Sequence, residues 1–104
     1  MNTIDYLDAV KKTLGITSNY ALANKLGISR PAVSRYYTKG GTLDDDIARK
    51  VATVLAVHPG LVMLDMHRER AHSPENQALW SEIFEGFRAP LLRAKSVRSA
   101  ALNR

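Results

Sequence analysis

Residues 19–38, NYALANKLGISRPAVSRYYT, decide the fold. They predict two short helices that cross closely, because Ala23 is small where the helices meet and Gly27 supplies the positive φ of a tight turn. Ser29 is a good N-cap for the second of these helices. Five apolar residues have the spacing that packs the two helices on each other and on a preceding helix: Leu22, Leu26, Ile28, Val33 and Tyr36. This combination is typical of a helix-turn-helix.

The face that this packing leaves outward predicts a contact with double-stranded DNA. Arginine is the side chain that most often reads guanine, and small residues allow a close approach to the major groove. The residues expected to read bases are Arg30, Pro31, Ser34 and Arg35. Those expected to contact phosphates are Asn19, Lys25, Ser29, Thr38 and Lys39. The alternative is a plain helical hairpin with solvated basic residues, but it does not require the small crossing residue, the turn glycine and the cap to occur together.

Charge is distributed unevenly along the chain of 104 residues, whose formal net charge is +5. Residues 1–87 contain ten basic and ten acidic residues, whereas residues 88–104 contain five basic residues and no acid. Within the balanced part, residues 19–41 carry four basic residues and no acid, so positive potential is concentrated on the predicted helix-turn-helix. The basic end of the chain is expected to add attraction to phosphates without sequence preference.

The segments around this stretch are also predicted to be helical, since their apolar residues recur every three or four positions and none alternates like a strand. A first helix is expected over residues 3–14, with Thr3 as its N-cap and Gly15 as its end. Its buried face is expected to contain Ile4, Leu7, Val10 and Leu14. A fourth helix is expected with Thr42 as its N-cap. Its buried face is expected to contain Ile47, Val51, Val54 and Leu55.

The C-terminal part predicts two more helices and a tail. Pro59 can begin a fifth helix that reaches about His72, and Ser73-Pro74 has the pattern of a cap followed by a first-turn proline. We expect Pro90 to end the sixth helix, because an interior proline removes a backbone hydrogen bond. The predicted organisation is a helix-turn-helix domain over residues 1–58, C-terminal helices over 59–89 and a basic tail over 90–104.

The sixth helix has more apolar surface than one packing contact requires. Leu79, Ile83 and Phe87 are spaced four residues apart, and Trp80 and Phe84 form the neighbouring row. Because part of so wide an arc would be exposed in a monomer, these residues predict a homodimer interface. A domain this small reads only a few base pairs, so a dimer on an inverted-repeat operator is expected. Core packing within one chain is the alternative.

Composition and spacing argue against several other classes of protein. The absence of cysteine excludes disulfides, thiolate metal sites and a cysteine nucleophile. No apolar run is long enough to span a membrane, and the N-terminus has no signal-peptide pattern, so a cytoplasmic protein is expected. The three histidines do not have the spacing of a metal site, and no serine, histidine and acid have a catalytic spacing. We therefore expect neither a cofactor nor an enzyme.

Two stretches carry a resemblance to a known family. ALANKLGISRPAVSRY, residues 21–36, resembles the helix-turn-helix of the phage Cro/CI repressor superfamily, and the similarity continues through GGTLDDDIARKVATVLAVHP, residues 40–59. LVMLDMHRERAHSPENQALW, residues 61–80, is similar to a narrower group of small phage-related proteins with two further helices. Many relatives have glutamine at the positions of Arg30 or Pro31, and a proline there cannot make a glutamine-type contact with adenine.

This resemblance implies an all-α, lambda-repressor-like fold of five to six helices with a C-terminal extension. It also implies a sequence-specific transcriptional regulator, in this case a phage or prophage repressor whose third helix reads the major groove. The alternative function is an antitoxin or protein-interaction module that uses the C-terminal helices to hold a partner.

Overall fold

The computed structural model describes the backbone of residues 1–102 and the side chains of residues 1–93, and it contains six helices and no strand within that range. The helices are α1 (Thr3–Leu14), α2 (Asn19–Leu26), α3 (Arg30–Lys39), α4 (Asp45–Leu55), α5 (Pro59–Arg70) and α6 (Pro74–Leu102). The predicted all-α fold is therefore confirmed. No helix in the described range combines the length and the apolar character that a bilayer crossing needs.

Local signals set the ends of α2 and the start of α3 as the sequence predicts. The hydroxyl of Ser18 accepts a hydrogen bond from the backbone N–H of Ala21, and that of Ser29 accepts one from Ala32. Gly27 ends α2 with a left-handed φ of +68°. These contacts satisfy backbone groups that a helix end leaves without partners.

Two predicted N-caps are wrong, and in both cases the threonine is used by α5 instead. Asn2, rather than Thr3, caps α1 in a reciprocal capping box with Asp5. The hydroxyl of Thr3 donates to Glu69 of α5 over 2.7 Å. Asp44 caps α4. Thr42 instead accepts a hydrogen bond from the guanidinium of Arg70, at the end of α5.

The hydrophobic core lies between α1, α2, α4 and α5, and α3 contributes one fully buried residue to it. The largest fully buried apolar side chains are Leu7, Val10, Leu22, Leu26, Val33, Leu43, Val51, Val62 and Met66. Ile4, predicted to be buried, is 37% exposed, and Tyr6 lies in the core instead. The reason is the orientation of α1, whose inward face contains Thr3, Leu7 and Val10.

Helix α6 packs along α5 and continues through Pro90, so the prediction that this proline ends the helix is wrong. Beyond the proline, the Cδ2 atom of Leu91 lies 3.3 Å from the position that a Cβ on Gly60 would occupy. The packing of α6 on α5 therefore continues past the proline, and it offsets the backbone hydrogen bond that proline lacks. The side chains of the predicted basic tail from residue 94 onward lie outside the described residues.

Candidate nucleic-acid interface

Helices α2 and α3 are joined by a turn of only three residues, 27–29. The backbone N–H groups of Gly27 and Ile28 both donate to the carbonyl of Ala23, which satisfies the end of α2. The Lys50 ammonium of α4 donates to the carbonyl of Leu26 over 3.0 Å and would lie 3.0 Å from a Cβ placed on Gly27. A positive charge at a helix C-terminus also complements the helix dipole. The angle between the two helices is therefore held from α4 as well as by the turn.

Helix α3 is oriented by one buried residue and one anchored tyrosine. Val33 is fully buried in the core. The hydroxyl of Tyr37 donates to the carboxylate of Asp8 over 2.8 Å, and the Lys11 ammonium lies 4.4 Å from the centroid of the Tyr37 ring. These contacts join α3 to α1. They leave the predicted reading face outward, with Arg30, Pro31 and Arg35 exposed and Ser34 half-buried.

The predicted phosphate-contacting residues differ in how free their polar groups are. Lys25 and Lys39 are exposed. The Ser29 hydroxyl accepts from the first turn of α3, and the Thr38 hydroxyl donates to the carbonyl of Ser34 over 3.0 Å. Asn19 is half-buried, and its Oδ1 accepts a hydrogen bond from Lys11 over 2.9 Å. The amide nitrogen of Asn19 is therefore the atom that remains able to donate to a phosphate.

The basic residues of this part of the chain fall into two groups. Outside residues 19–41, five of the six basic residues in 1–87 have a partner: Lys11, Arg49, Lys50, Arg68 and Arg70. Lys12 has no such partner among the described side chains. Inside residues 19–41, none of the four basic side chains forms an ion pair or a hydrogen bond with a described residue. Within residues 1–87, unpaired positive charge is thus concentrated on α2 and α3.

Burial affects the ionisation of the two tyrosines on the inner side of α3. It raises the pKa of Tyr37, and the hydrogen bond to Asp8 raises it further. Burial also raises the pKa of Tyr36, with an added contribution from the negative charge of Asp44 and an opposing one from Arg35. Both phenols are therefore neutral near pH 7, and Tyr37 remains a hydrogen-bond donor that anchors α3.

Sequence reasoning missed two features of this region. Tyr20, which follows Asn19 in the first turn of α2, is 61% exposed and brings a phenolic hydroxyl to the start of that helix. Its position just after the Ser18 cap and off the apolar stripe is a signal that could have identified it. The cluster of Asp8, Lys11 and Tyr37 left no such signal, because it joins residues that are far apart in the sequence.

The residues predicted to form a dimer interface occupy two different environments on α6. Trp80 stacks on His67 of α5 with a centroid separation of 4.6 Å, and the guanidinium of Arg68 lies 4.6 Å from the centroid of the Phe84 ring. Ile83 is half-buried, whereas Leu79 and Phe87 are 52% and 56% exposed. The row of Trp80 and Phe84 thus faces α5, and the row of Leu79 and Phe87 does not.

Two of the three histidines make contacts that stabilise the fold. His58 caps α5, since its Nδ1 accepts from the N–H of Gly60 over 2.9 Å, and His67 belongs to the stack described above. Among the described residues, no three histidine or carboxylate side chains come together as a metal site.

Comparisons with models of protein families, with curated proteins and with solved structures found no match for this chain.

Proposed function

We propose that the protein is a sequence-specific DNA-binding transcriptional regulator, a phage or prophage repressor of the Cro/CI type. The observation that carries the proposal is the position of the unpaired basic residues. All four basic residues within 19–41 lie on α2 or α3. Charges that serve only solubility have no reason to collect there, whereas a DNA-binding surface requires concentrated positive potential.

In this proposal α3 enters the major groove and α2 crosses the phosphate backbone. Arg30 and Arg35 each have a guanidinium free to make the bidentate contact with guanine, and Ser34 provides a hydroxyl between them on the helix face. Pro31 has no donor, so its ring contributes shape and apolar contact. It lies in the first turn of α3, where a missing N–H leaves no helical hydrogen bond unmade.

Phosphate contacts fix the register of the two helices on the duplex. Lys25 and Lys39 supply charge at either side of the reading face, and the amide nitrogen of Asn19 and the hydroxyl of Tyr20 donate from the first turn of α2. Repression follows from occupancy, because a protein bound across a promoter excludes polymerase from the same DNA.

Selection of bound duplexes from a random pool, followed by footprinting, tests the proposal. The expected result is one enriched motif that contains guanine, and a protected segment centred on it. The double variant Arg30→Ala, Arg35→Ala should retain its helical circular dichroism and enrich no motif. If the unmodified protein enriches no motif at moderate salt, sequence-specific DNA binding is refuted.

A second candidate function, an antitoxin or protein-interaction module, is favoured by the apolar row on α6 that α5 leaves uncovered. It predicts that replacing Leu79 and Phe87 abolishes the binding of a partner protein rather than the binding of a DNA motif. The random-pool selection separates the two, since only a reader of DNA requires Arg30 and Arg35.

A further inference from the structure

Helix α6 divides into an acidic half and a basic half. Residues 75–85 contain three glutamates and no basic residue, and residues 88–98 contain four basic residues and no acid. When two copies of such a helix pack parallel, the acidic halves lie side by side and so do the basic halves, and the like charges repel. When antiparallel, the two copies place each acidic half beside the basic half of the other copy.

An apolar row runs along the side of α6 that α5 does not cover. Leu79, Ile83 and Phe87 follow one another at four-residue intervals, so they lie on one side of the helix. The first and last of them are more than half exposed, although both are large and apolar. Beside the row, Gly86 has no neighbouring atom within 4 Å of the position of a Cβ, which leaves room for a second helix to approach.

Glu82 and Arg93 lie in line beside this row, since eleven residues correspond to about three helical turns. Both side chains are exposed, and neither forms an ion pair within the side chains that the structure describes. The two residues are nearly equidistant from Phe87 along the chain, on opposite sides of it. If a two-fold axis passes near Phe87, Glu82 of one copy therefore comes beside Arg93 of the other.

We propose that a second copy of this chain covers the row, with the two α6 helices packed antiparallel about a two-fold axis near Phe87. A second copy is the occupant that fits, because the surface is complementary to itself: the apolar row meets the same row, and acid meets base twice by symmetry. The interface is separate from the candidate DNA surface, since α6 packs on α5 whereas α3 packs on α2 and α1. The proposal does not rest on DNA binding, and its test is performed without DNA.

Two charge reversals in the chain of 104 residues provide the test. Glu82→Arg places two arginines opposite each other at both symmetric positions, and Arg93→Glu places two glutamates there. Each variant alone should raise the dimer dissociation constant by roughly tenfold or more, because two attractive pairs become repulsive. An equimolar mixture of the two variants should form a heterodimer, since both of its pairs are then opposite in charge.

Sedimentation velocity at tens of micromolar distinguishes the species, and circular dichroism checks that each variant keeps its helices. Glu85→Arg is the matched control, because it makes the same charge change on another side of α6 and should leave the wild-type dimer intact. Loss of the dimer in each variant together with its rescue in the mixture indicates antiparallel pairing. In a parallel pair each reversal would only replace one like-charged pair with another, and a loss of fold cannot be restored by a second defective chain. The proposal is overturned if the wild type sediments as a monomer, if either reversal leaves the dimer unchanged, or if the mixture remains monomeric.

Discussion

Replacing Arg30 or Arg35 with alanine separates base reading from general attraction to a polyanion. Both side chains are exposed on α3, and neither has a partner inside the described part of the chain. Alanine is also at least as good a helix former as arginine. The free energy of unfolding should therefore change by less than about 0.5 kcal/mol. If the free energy of DNA binding falls by more than this amount, the loss comes from a contact with DNA rather than from a change in stability.

The expected magnitude follows from the contact that each guanidinium can make. A bidentate pair with guanine contributes about 1–3 kcal/mol of discrimination. Each substitution should therefore raise the dissociation constant for the selected site by roughly 5- to 150-fold. Affinity for a scrambled duplex should fall much less, because it loses only one charge.

Arg49→Ala is the matched control. Arg49 is also an exposed helical arginine, but it lies on α4 and pairs with Asp46. Its replacement removes the same formal charge from outside the proposed reading face, so the ratio of specific to scrambled affinity should stay constant. Fluorescence anisotropy with both duplexes at one fixed salt concentration measures this ratio for all variants. If Arg49→Ala lowers the ratio as much as the α3 variants do, or if neither α3 variant lowers it, the assignment of the reading face is refuted.

Three further predictions concern stability and salt. Asp65→Ala should lower the free energy of unfolding in urea by about 2–4 kcal/mol, because it leaves Tyr6 and Arg68 without their shared buried partner. The control Asp45→Ala, at an exposed position, should lower that free energy by less than about 1 kcal/mol. Burial, together with the hydrogen bond to Asp65, raises the pKa of Tyr6 above its ordinary value of 10. Above about pH 10 the unfolded chain therefore loses a proton that the folded chain keeps. Urea unfolding should show stability falling as the pH rises above about 10, by at most about 1.4 kcal/mol per pH unit from this group, and Tyr6→Phe should remove that contribution. Deleting residues 94–104 removes three basic residues and should reduce the slope of log K against log salt by up to about 3 while the selected motif stays the same.

Features that depend on one short segment could be predicted from the sequence. The turn at Gly27, the cap at Ser29 and the burial of Val33 each follow from residues within one turn of the position concerned, and the structure has all three. The outward face of α3 follows from them, because burying Val33 determines which side of a helix faces solvent. This is why Arg30 and Arg35 are exposed, as the sequence predicts.

Features that depend on a distant element could not be predicted. Thr3 and Thr42 look like caps locally, but their hydroxyls bind Glu69 and Arg70 at the end of α5. Pro90 looks like a helix end, but the packing of α6 on α5 extends beyond it. In each case the local preference is worth about 1–3 kcal/mol, which a single tertiary contact can outweigh.

The same distinction decides which positive charges can serve a ligand. Sequence alone counts Lys11 and Lys50 as equal to Lys25 or Lys39, but their ammonium groups are already used: Lys11 binds Asn19 and covers Tyr37, and Lys50 binds the end of α2. Lys11 thus joins α2 and α3 to α1, and Lys50 joins the end of α2 to α4. A surface that reads bases needs such support, because hydrogen bonds to base edges tolerate little displacement. Of these four lysines, two therefore position the α2–α3 unit and two are presented by it, and only contacts across the fold reveal which is which.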